Sequence, residues 1–241
     1  VVTQLLGLFS SGDLLGLIAP NGAGKTTLIR ILATLLQPSA GSATVNGHDV
    51  TRQAQSVRRE IGYMPDFFGV YEELKVREYL EFFAATYGIR GAKRKATVDG
   101  VLELTDLTEK RDALIASLSR GMQQRLGLAR VLVHDPKVLF LDEPASGLDP
   151  RARIEIRALL KELRNMGKTI LISSHILADL ADLCNKIGLI ERGKLLYAGG
   201  LKEAMAQVQG DDVWLVEVFE DTDRAKKTLE GQSFTESVTE S

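Results

Sequence analysis

Short apolar runs without alternation recur along the chain, and they predict buried strands. These runs occupy residues 14–18, 138–141, 169–172 and 187–190. Strands that are apolar at every position are typical of a parallel sheet with helices packed on both faces. Helical spacing of apolar residues follows between the runs, at Met122, Leu126, Ala129 and Val133 and then at Ile154, Ala158 and Leu159. The alternation of strands and helices predicts an α/β fold.

Three segments depart from this alternation. Residues 41–50 predict an antiparallel hairpin, because Asn46-Gly47 is a strong two-residue turn signal. Residues 71–115 predict a helical subdomain inserted into a core of residues 1–70 and 116–200, and one helix face there carries Val76, Tyr79, Leu80, Phe83 and Tyr87. Residues 201–241 predict a small extension with a strand at 213–219 and a helix at 222–231.

Composition places the chain among ordinary globular proteins. Its 241 residues are 44% hydrophobic, which argues against disorder. No apolar run approaches the roughly 18 residues that span a bilayer, so we expect any role at a membrane to be peripheral or through a partner. A net charge of −2 gives no general attraction to nucleic acid, and the basic cluster at 92–96 is interpreted as a solvated loop or helix end.

The single cysteine and the first ten residues indicate in which cellular compartment the protein is expected. Cys184 has no partner for an internal disulfide, so we predict a small buried side chain in a protein of a reducing compartment. Residues 1–10 show neither a basic start nor a cleavage site, so no signal peptide is expected.

The stretch "APNGAGKTT" (19–27) predicts a phosphate-binding loop between a strand and a helix. Successive backbone N–H groups of such a turn cradle phosphate oxygens, and the helix start adds a favourable dipole. Ala19 stands where the G-x-x-x-x-G-K-[ST] pattern has its first glycine. Alanine there costs about 1 kcal/mol if φ is positive and nothing if φ is negative. The predicted nucleotide-binding residues of this loop are Asn21, Gly22, Ala23, Gly24, Lys25, Thr26 and Thr27.

Two further strands end in residues suited to phosphate chemistry. "VLFLDEP" (138–144) delivers Asp142 and Glu143 to the carboxyl end of a buried strand, the edge at which ligands bind in such sheets. His175 ends another apolar strand, so we expect it beside Glu143. Adjacent carboxylates could instead only solvate a strand end. The other two histidines, His48 and His134, are interpreted as structural, with His134 near a helix end, where a cation is favourable.

The stretch "LSRGMQQR" (118–125) places a serine and a glycine where a helix begins. Ser119 and Gly121 could face an anion there, because a helix start offers free N–H groups. Ser119 could equally be a simple helix N-cap. Both uses need the same geometry, so the sequence leaves both open.

Six motifs in order resemble those of the ATP-binding cassette family, over about residues 1–200. "APNGAGKTT" resembles Walker A, "IGYMPD" (61–66) the Q-loop and "LSRGMQQR" the signature motif. "VLFLDEP" resembles Walker B, "SGLD" (146–149) the D-loop and "SSH" (173–175) the switch histidine. The variant signature with Arg120 is most similar to the ATPase subunits of ABC-2-type exporters.

The resemblance implies a RecA-like P-loop core that binds ATP and Mg²⁺. It implies catalytic roles for Glu143, His175 and Lys25, and metal ligation by Thr26, Asp66 and Asp142. It further implies a homodimer, or a heterodimer with a second cassette, in which Ser119 and Gly121 contact the ATP of the partner subunit. Asp66 stands where the family has glutamine, so we expect retained ATP binding with altered metal dependence or coupling.

The resemblance also implies a membrane partner. An integral membrane permease would contact residues 66–71, which include Phe67, Phe68 and Tyr71, and would hold the chain at the cytoplasmic face of the cell membrane. For aromatic residues, core packing is the alternative. The function implied is ATP-driven export, with no nucleic acid as partner. The alternatives are a cassette ATPase that acts on nucleic acid or ribosomes and a nucleotide-dependent scaffold with little turnover.

Overall fold

The computed structural model describes residues 12–67, 69–176, 180, 182–201, 203, 226, 228 and 229. The chain divides into two compact units, Val1–Ala204 and Met205–Ser241. The strand predicted at 213–219 lies outside the described residues, and so does the helix predicted at 222–231 apart from three helical positions. The fold described below is that of the first unit.

A six-stranded sheet, flanked by helices, forms the centre of the first unit. In chain order the strands of the unit are β1 (Leu14–Ile18), β2 (Thr44–Val45), β3 (His48–Asp49), β4 (Ile61–Met64), β5 (Val138–Asp142), β6 (Thr169–Ser174), β7 (Lys186–Glu191) and β8 (Lys194–Gly200). The large sheet has the order β4-β5-β6-β1-β7-β8, and only its last pair, β7 and β8, is antiparallel. All four predicted strands lie in its parallel part, so the predicted α/β class is confirmed.

The side chains of the central strands pack into two hydrophobic cores, one on each face of the sheet. Leu139 and Leu141 of β5 lie in the larger core on one face of the sheet, and Phe140 between them lies in the smaller core on the other face. Successive side chains of a strand point to opposite faces. A strand covered on both faces must therefore be apolar at consecutive positions, which explains the unbroken runs.

Strands β2 and β3 pair as the predicted hairpin. Thr44 pairs with Asp49 and Val45 with His48. The two turn residues, Asn46 and Gly47, both have positive φ, 48° and 80°. Two-residue hairpins favour this geometry because its twist matches that of the strands.

Six α-helices of the first unit have both ends within the described residues. They are α1 (Lys25–Leu32), α2 (Ala54–Glu60), α3 (Val76–Thr86), α4 (Gly91–Leu104), α5 (Arg120–Leu132) and α6 (Pro150–Asn165). Two short 3₁₀ helices, Thr108–Lys110 and Ile115–Ser117, lead from α4 to α5. Helices α3 and α4 lie within the predicted subdomain 71–115, whose status as a separate domain stays a prediction. Within the described residues, no helix is both long and apolar enough to cross a membrane.

The predicted helix faces are partly wrong. On α3, Val76, Tyr79 and Leu80 are buried as expected, but Tyr87 follows the helix and is 47% exposed. On α6, Ile154 is 65% exposed and Ala158 is also exposed. The buried face of α6 consists instead of Ala152, Ile156, Leu159, Leu160 and Leu163.

His134 is structural, as predicted, but not as a cation at a helix end. Its ring stacks on Tyr87 with a centroid distance of 3.9 Å, and Nε2 lies 2.8 Å from the carbonyl oxygen of Ile61. Because a carbonyl only accepts, Nε2 carries the proton of the neutral ring. Burial lowers the pKa of His134, which disfavours the positive charge expected near a helix end.

The predicted burial of Cys184 and the predicted exposure of the basic cluster at 92–96 are confirmed, while the reducing compartment stays a prediction. Cys184 is buried, and burial raises the pKa of its thiol to about 12. The basic cluster lies in the first turns of α4, where most of its residues are exposed. Neither feature forms part of the candidate site.

Candidate functional site

The loop between β1 and α1 has the backbone of an anion cradle. Gly22 and Gly24 have positive φ, 80° and 110°, which glycine adopts without strain. Gly24 is the N-cap of α1, and within the described chain no side chain caps this helix start and no acidic residue lies in its first turn. Its N–H groups are therefore not neutralised by a carboxylate of the protein.

The structure shows which sign the φ angle of Ala19 has, a question that the sequence leaves open. Ala19 is not among the described residues with positive φ, and it is 4% exposed in the smaller core. A methyl group in this position therefore carries no left-handed backbone strain. The departure from the glycine pattern at this position costs nothing in backbone conformation.

Lys25 is the buried cation of the loop, 6% exposed. Its Nζ donates to the carbonyl oxygen of Ala19 at 2.6 Å and to that of Pro20 at 3.4 Å. The same Nζ lies 3.3 Å from Oε1 of Glu143. Oε1 is buried and accepts no hydrogen bond from the described residues, so the charge of Lys25 is its main compensation.

Glu143 and His175 lie side by side, as predicted from the strand ends. Their strands β5 and β6 are neighbours, and Asp142 pairs with Ser173. His175 Nδ1 lies 2.9 Å from Oε2 of Glu143. Because a carboxylate only accepts, Nδ1 carries a proton here, and Nε2 can donate only if the ring holds both protons. Glu143 has φ 50°, a left-handed conformation that is uncommon for a residue with a side chain.

Ser173 is a site residue that sequence reasoning missed. Its hydroxyl donates to Oδ1 of Asp142 at 2.6 Å and accepts from the backbone N–H of Glu143 at 2.9 Å. Ser173 is completely buried and Asp142 is 1% exposed. The signal for Ser173 is a polar residue within an apolar strand, two positions before His175 and on a neighbour of β5.

Asp66 lies at the same edge of the sheet. Met64 of β4 pairs with Leu141 of β5, and Asp66 follows two residues later. Burial raises the pKa of Asp66, and the negative charges of Asp142 and Glu143 raise it further. The positive charge of Arg120 and that of His175 act in the opposite direction. The structure thus brings the charges of Asp66 and the two strand-end carboxylates into mutual range.

The oxygen ligands that the site offers suit a hard cation that the phosphate oxygens of a nucleotide also help to bind. Asp142 offers a buried carboxylate and Thr26 a half-buried hydroxyl in the first turn of α1. Across the described residues, no group of three or more His, Cys, Asp or Glu side chains forms a metal cage. Mg²⁺ is commonly bound by one or two protein oxygens together with phosphate oxygens and water, so these residues fit it.

Ser119 and Gly121 begin α5, and each has a role within its own chain. Ser119 is the N-cap, and its Oγ accepts from the N–H of Met122 at 3.3 Å. A Cβ on Gly121 would lie 2.8 Å from Cβ of Ala152, so glycine permits close packing of α5 on α6. The N-cap interpretation of Ser119 is confirmed, while contact with the nucleotide of a partner subunit stays a prediction.

The aromatic residues after Asp66 are exposed rather than packed in the core. Phe67 is 88% exposed and Tyr71 is 59% exposed. Phe68 lies outside the described residues. Tyr71 forms a ring contact with Phe82, itself 51% exposed, at a centroid distance of 6.4 Å. The alternative of core packing is therefore wrong for Phe67 and Tyr71.

The parallel sheet, the glycine-rich loop and the converging charged side chains define a P-loop nucleotide-binding protein. The profile of the family described as "ABC transporter" matches residues 4–146, and the chain belongs to this family.

Similar proteins agree with this assignment. The chain is 39% identical over 205 residues to the daunorubicin resistance ATP-binding protein DrrA3 of Streptomyces coeruleorubidus, covering 85% of this chain and 65% of that protein. It is 40% identical to the Nod factor export ATP-binding protein I of Paraburkholderia xenovorans, covering 86% of this chain and 68% of that protein. The chain thus spans about two thirds of the length of these two relatives. The solved structure of cbiO1 from Clostridium perfringens, described as part of the ABC transporter complex cbiONQ, superposes with a TM-score of 0.75 at 28% identity, covering 83% and 82% of the two chains. These names do not favour the alternative of a cassette acting on nucleic acid or ribosomes.

Proposed function

We propose that the chain is the ATP-binding and ATP-hydrolysing subunit of an ABC exporter. The observation that carries this proposal is the position of Glu143, whose two carboxylate oxygens meet Lys25 at 3.3 Å and His175 at 2.9 Å. A phosphate-binding cation, a carboxylate able to orient water and a histidine thus meet beside a glycine-rich loop. This combination supports phosphoryl transfer to water, in which positioning and charge stabilisation do most of the work.

Each residue of the site has a proposed task. Lys25 binds β- and γ-phosphate oxygens, and the backbone of residues 21–27 cradles the phosphates. Glu143 orients the attacking water or takes its proton, an effect of about 10²–10⁴ in rate. His175 donates to a γ-phosphate oxygen, and it must carry both ring protons to bond Glu143 at the same time.

The metal of the site would be held by hydroxyl and carboxylate oxygens. Thr26, Asp142 and Asp66 are the proposed ligands of Mg²⁺, which when bound supplies positive charge next to the phosphate oxygens. Ser173 supports this role of Asp142, because its hydroxyl orients one carboxylate oxygen. Asp66 adds a negative charge where the family has a neutral glutamine, so metal dependence is expected to differ from the family pattern.

Two subunits are proposed to close head to tail, as a homodimer or as a heterodimer with a second cassette. Ser119 and Gly121 of one subunit would then contact the ATP bound by the other. The position of both residues at the start of α5 supports this contact, since a helix start favours anions.

A membrane permease is the proposed partner that carries the cargo. The exposed Phe67 and Tyr71 support a contact at residues 66–71, because exposed aromatic side chains are enriched in protein interfaces. Such a contact would place the chain at the cytoplasmic face of the membrane. Export is favoured over import by the names of the relatives, which refer to daunorubicin resistance and Nod factor export.

Steady-state hydrolysis of Mg·ATP by the purified chain tests the proposal. Glu143→Gln should reduce kcat by about 10²-fold or more and should accumulate as a dimer in saturating ATP, measured by light scattering after size exclusion. Glu81→Gln, on α3, is the matched control and should retain activity. A Glu143→Gln variant that stays monomeric in saturating ATP would overturn the dimer mechanism.

A further inference from the structure

Helix α5 presents two polar side chains to the loop that follows β5. Gln124 Nε2 donates to the carbonyl oxygen of Pro144 at 2.9 Å, in a buried position. Arg120 Nη2 donates to the carbonyl oxygen of Ser146 at 3.3 Å. Residues four apart share one face of a helix, so the two donors form adjacent attachments to residues 144–146.

Gly147 leaves the space that the guanidinium of Arg120 occupies. A Cβ on Gly147 would lie between 2.5 and 2.7 Å from Nη2, Cζ and Nη1 of Arg120. Gly147 also has a φ of 65°, which favours glycine. The guanidinium of Arg120 therefore lies against the backbone of this loop, although Arg120 as a whole is exposed.

The attached loop joins two functional points. It begins directly after Glu143 and ends at Asp149, whose carboxylate caps α6 by accepting from Ala152 N–H at 2.9 Å. Arg120 itself is the residue next to Ser119. The start of α5 is thus connected by hydrogen bonds to the loop that directly follows Glu143.

We propose that Arg120 is a positioning residue that, together with Gln124, holds residues 144–149 against the start of α5. The proposal rests on the proposed function, in which Ser119 meets the nucleotide of the second subunit. The attachment makes Ser119 and Glu143 of one chain move together, so closure at one ATP adjusts the water-orienting group at the other.

The first test separates turnover from binding. Arg120→Ala should lower kcat about five- to tenfold, as expected for loss of one long, exposed hydrogen bond. The affinity of Arg120→Ala for ATP, measured by equilibrium titration, should stay within about twofold of that of the parent chain. The reason is that loop 19–27 is intact in this variant and no contact of Lys25 changes. Arg120→Lys keeps one donor and should restore part of kcat.

Arg151→Ala is the matched control for this test. Arg151 also lies in the first turn of a helix, is 90% exposed and pairs with Glu155. Its removal should leave kcat unchanged. Equal kcat in Arg120→Ala and the parent chain would overturn the proposal.

A steric double-mutant cycle tests the contact itself. Gly147→Ala should lower kcat by about tenfold in the parent chain, because the added methyl displaces the guanidinium. In the Arg120→Ala background the same substitution should cost much less, since only the backbone strain remains. Gly41→Ala is the control for backbone strain, because Gly41 has φ 82° and a Cβ there would have no atom within 4 Å. The change in Tm of this variant therefore measures the strain without a steric contact.

The cycle distinguishes the positioning role of Arg120 from the proposed function of the chain. If the fold-changes in kcat caused by Arg120→Ala and Gly147→Ala simply multiply in the double variant, the two substitutions act independently. This result would overturn the positioning role while leaving the proposed function intact. Absence of ATP hydrolysis by the parent chain would instead overturn the proposed function.

Discussion

Lys25 and Glu143 form an ion pair with Nζ 3.3 Å from Oε1, and the two side chains are only 6% and 13% exposed. The cation proposed to bind phosphate and the carboxylate proposed to orient water are thus partners of each other. A phosphate oxygen that takes Lys25 must compete with Glu143 for it. The ion pair therefore couples occupation of the phosphate loop to release of the carboxylate.

Removing this competition should tighten nucleotide binding. Glu143→Gln keeps the size of the side chain but removes its charge, so Lys25 loses its ion-pair partner and retains its bonds to the carbonyl oxygens of Ala19 and Pro20. We expect the affinity for ATP to rise about three- to tenfold, which corresponds to about 1 kcal/mol of binding free energy. Calorimetric titration of the two chains checks this, with Glu81→Gln as the control. Equal affinities would contradict competition between Glu143 and phosphate.

Ser173→Ala should damage both stability and turnover. It leaves Asp142 Oδ1 without its 2.6 Å donor and the N–H of Glu143 without its acceptor. Buried groups left without partners cost about 1–3 kcal/mol, and a misplaced Glu143 should lower kcat more than tenfold. Urea unfolding and ATPase assays measure the two effects. Ser117→Ala, at an exposed serine that bonds Leu114, should change neither.

Asp66→Gln should leave ATP hydrolysis within about tenfold of the parent, since Asp66 is one of several oxygen ligands available to Mg²⁺. Burial and the charges of Asp142 and Glu143 disfavour the ionised form and raise the pKa of Asp66, so a neutral amide relieves repulsion. The Mg²⁺ concentration for half-maximal activity should shift, and a titration of activity with Mg²⁺ measures the shift. Complete loss of activity would show that Asp66 is an essential ligand.

His134 should make stability depend on pH. Its pKa in the folded chain is lowered from the ordinary 6.5, so between the two values the unfolded chain binds more protons. The stabilisation is complete above about pH 6.5 and decreases as pH falls through that value toward the folded pKa. In His134→Gln, Tm should change less between about pH 7.5 and pH 5.5 than in the parent. The same loss of Tm in both chains would contradict this role, and His48→Gln is the control.

The sequence predicts those features that depend on local pattern. Continuous apolar runs identify the central strands because both faces of the sheet are covered, and Asn46-Gly47 identifies the hairpin because few turns accept two positive φ values. The strand ends also place His175 beside Glu143, since parallel neighbours end at one edge of the sheet.

Features that depend on long-range register escape the sequence. Ser173 resembles any strand serine until the pairing of β5 with β6 sets it opposite Asp142. The buried face of α6, by contrast, is encoded locally, because Ala152, Ile156, Leu159, Leu160 and Leu163 recur at helical spacing and Ile154 and Ala158 lie off that face. The contact of Arg120 with Ser146 joins residues 26 positions apart, which no periodicity encodes.

Complementation between two inactive variants should test whether the nucleotide site is shared between subunits. Ser119→Tyr blocks the start of α5, at the cost of its N-cap, about 1 kcal/mol. Gly121 is unsuitable for this purpose, because a side chain there collides with Ala152 of the same chain. Lys25→Ala disables the phosphate loop. Each variant alone should be inactive, since every site of its homodimer lacks one half.

Mixing the two variants should restore activity if the halves come from different subunits. Half of randomly paired dimers are mixed, and one of their two sites joins an intact phosphate loop to an intact Ser119, which gives about a quarter of the parental activity if the sites act independently. Mixing Lys25→Ala with the double variant Lys25→Ala/Ser119→Tyr should restore nothing, because no chain then supplies an intact loop. If the first mixture is also inactive while both proteins remain folded by circular dichroism, Ser119 does not serve the nucleotide of a second subunit. The proposed head-to-tail dimer would then be wrong, because its only composite pocket would be missing.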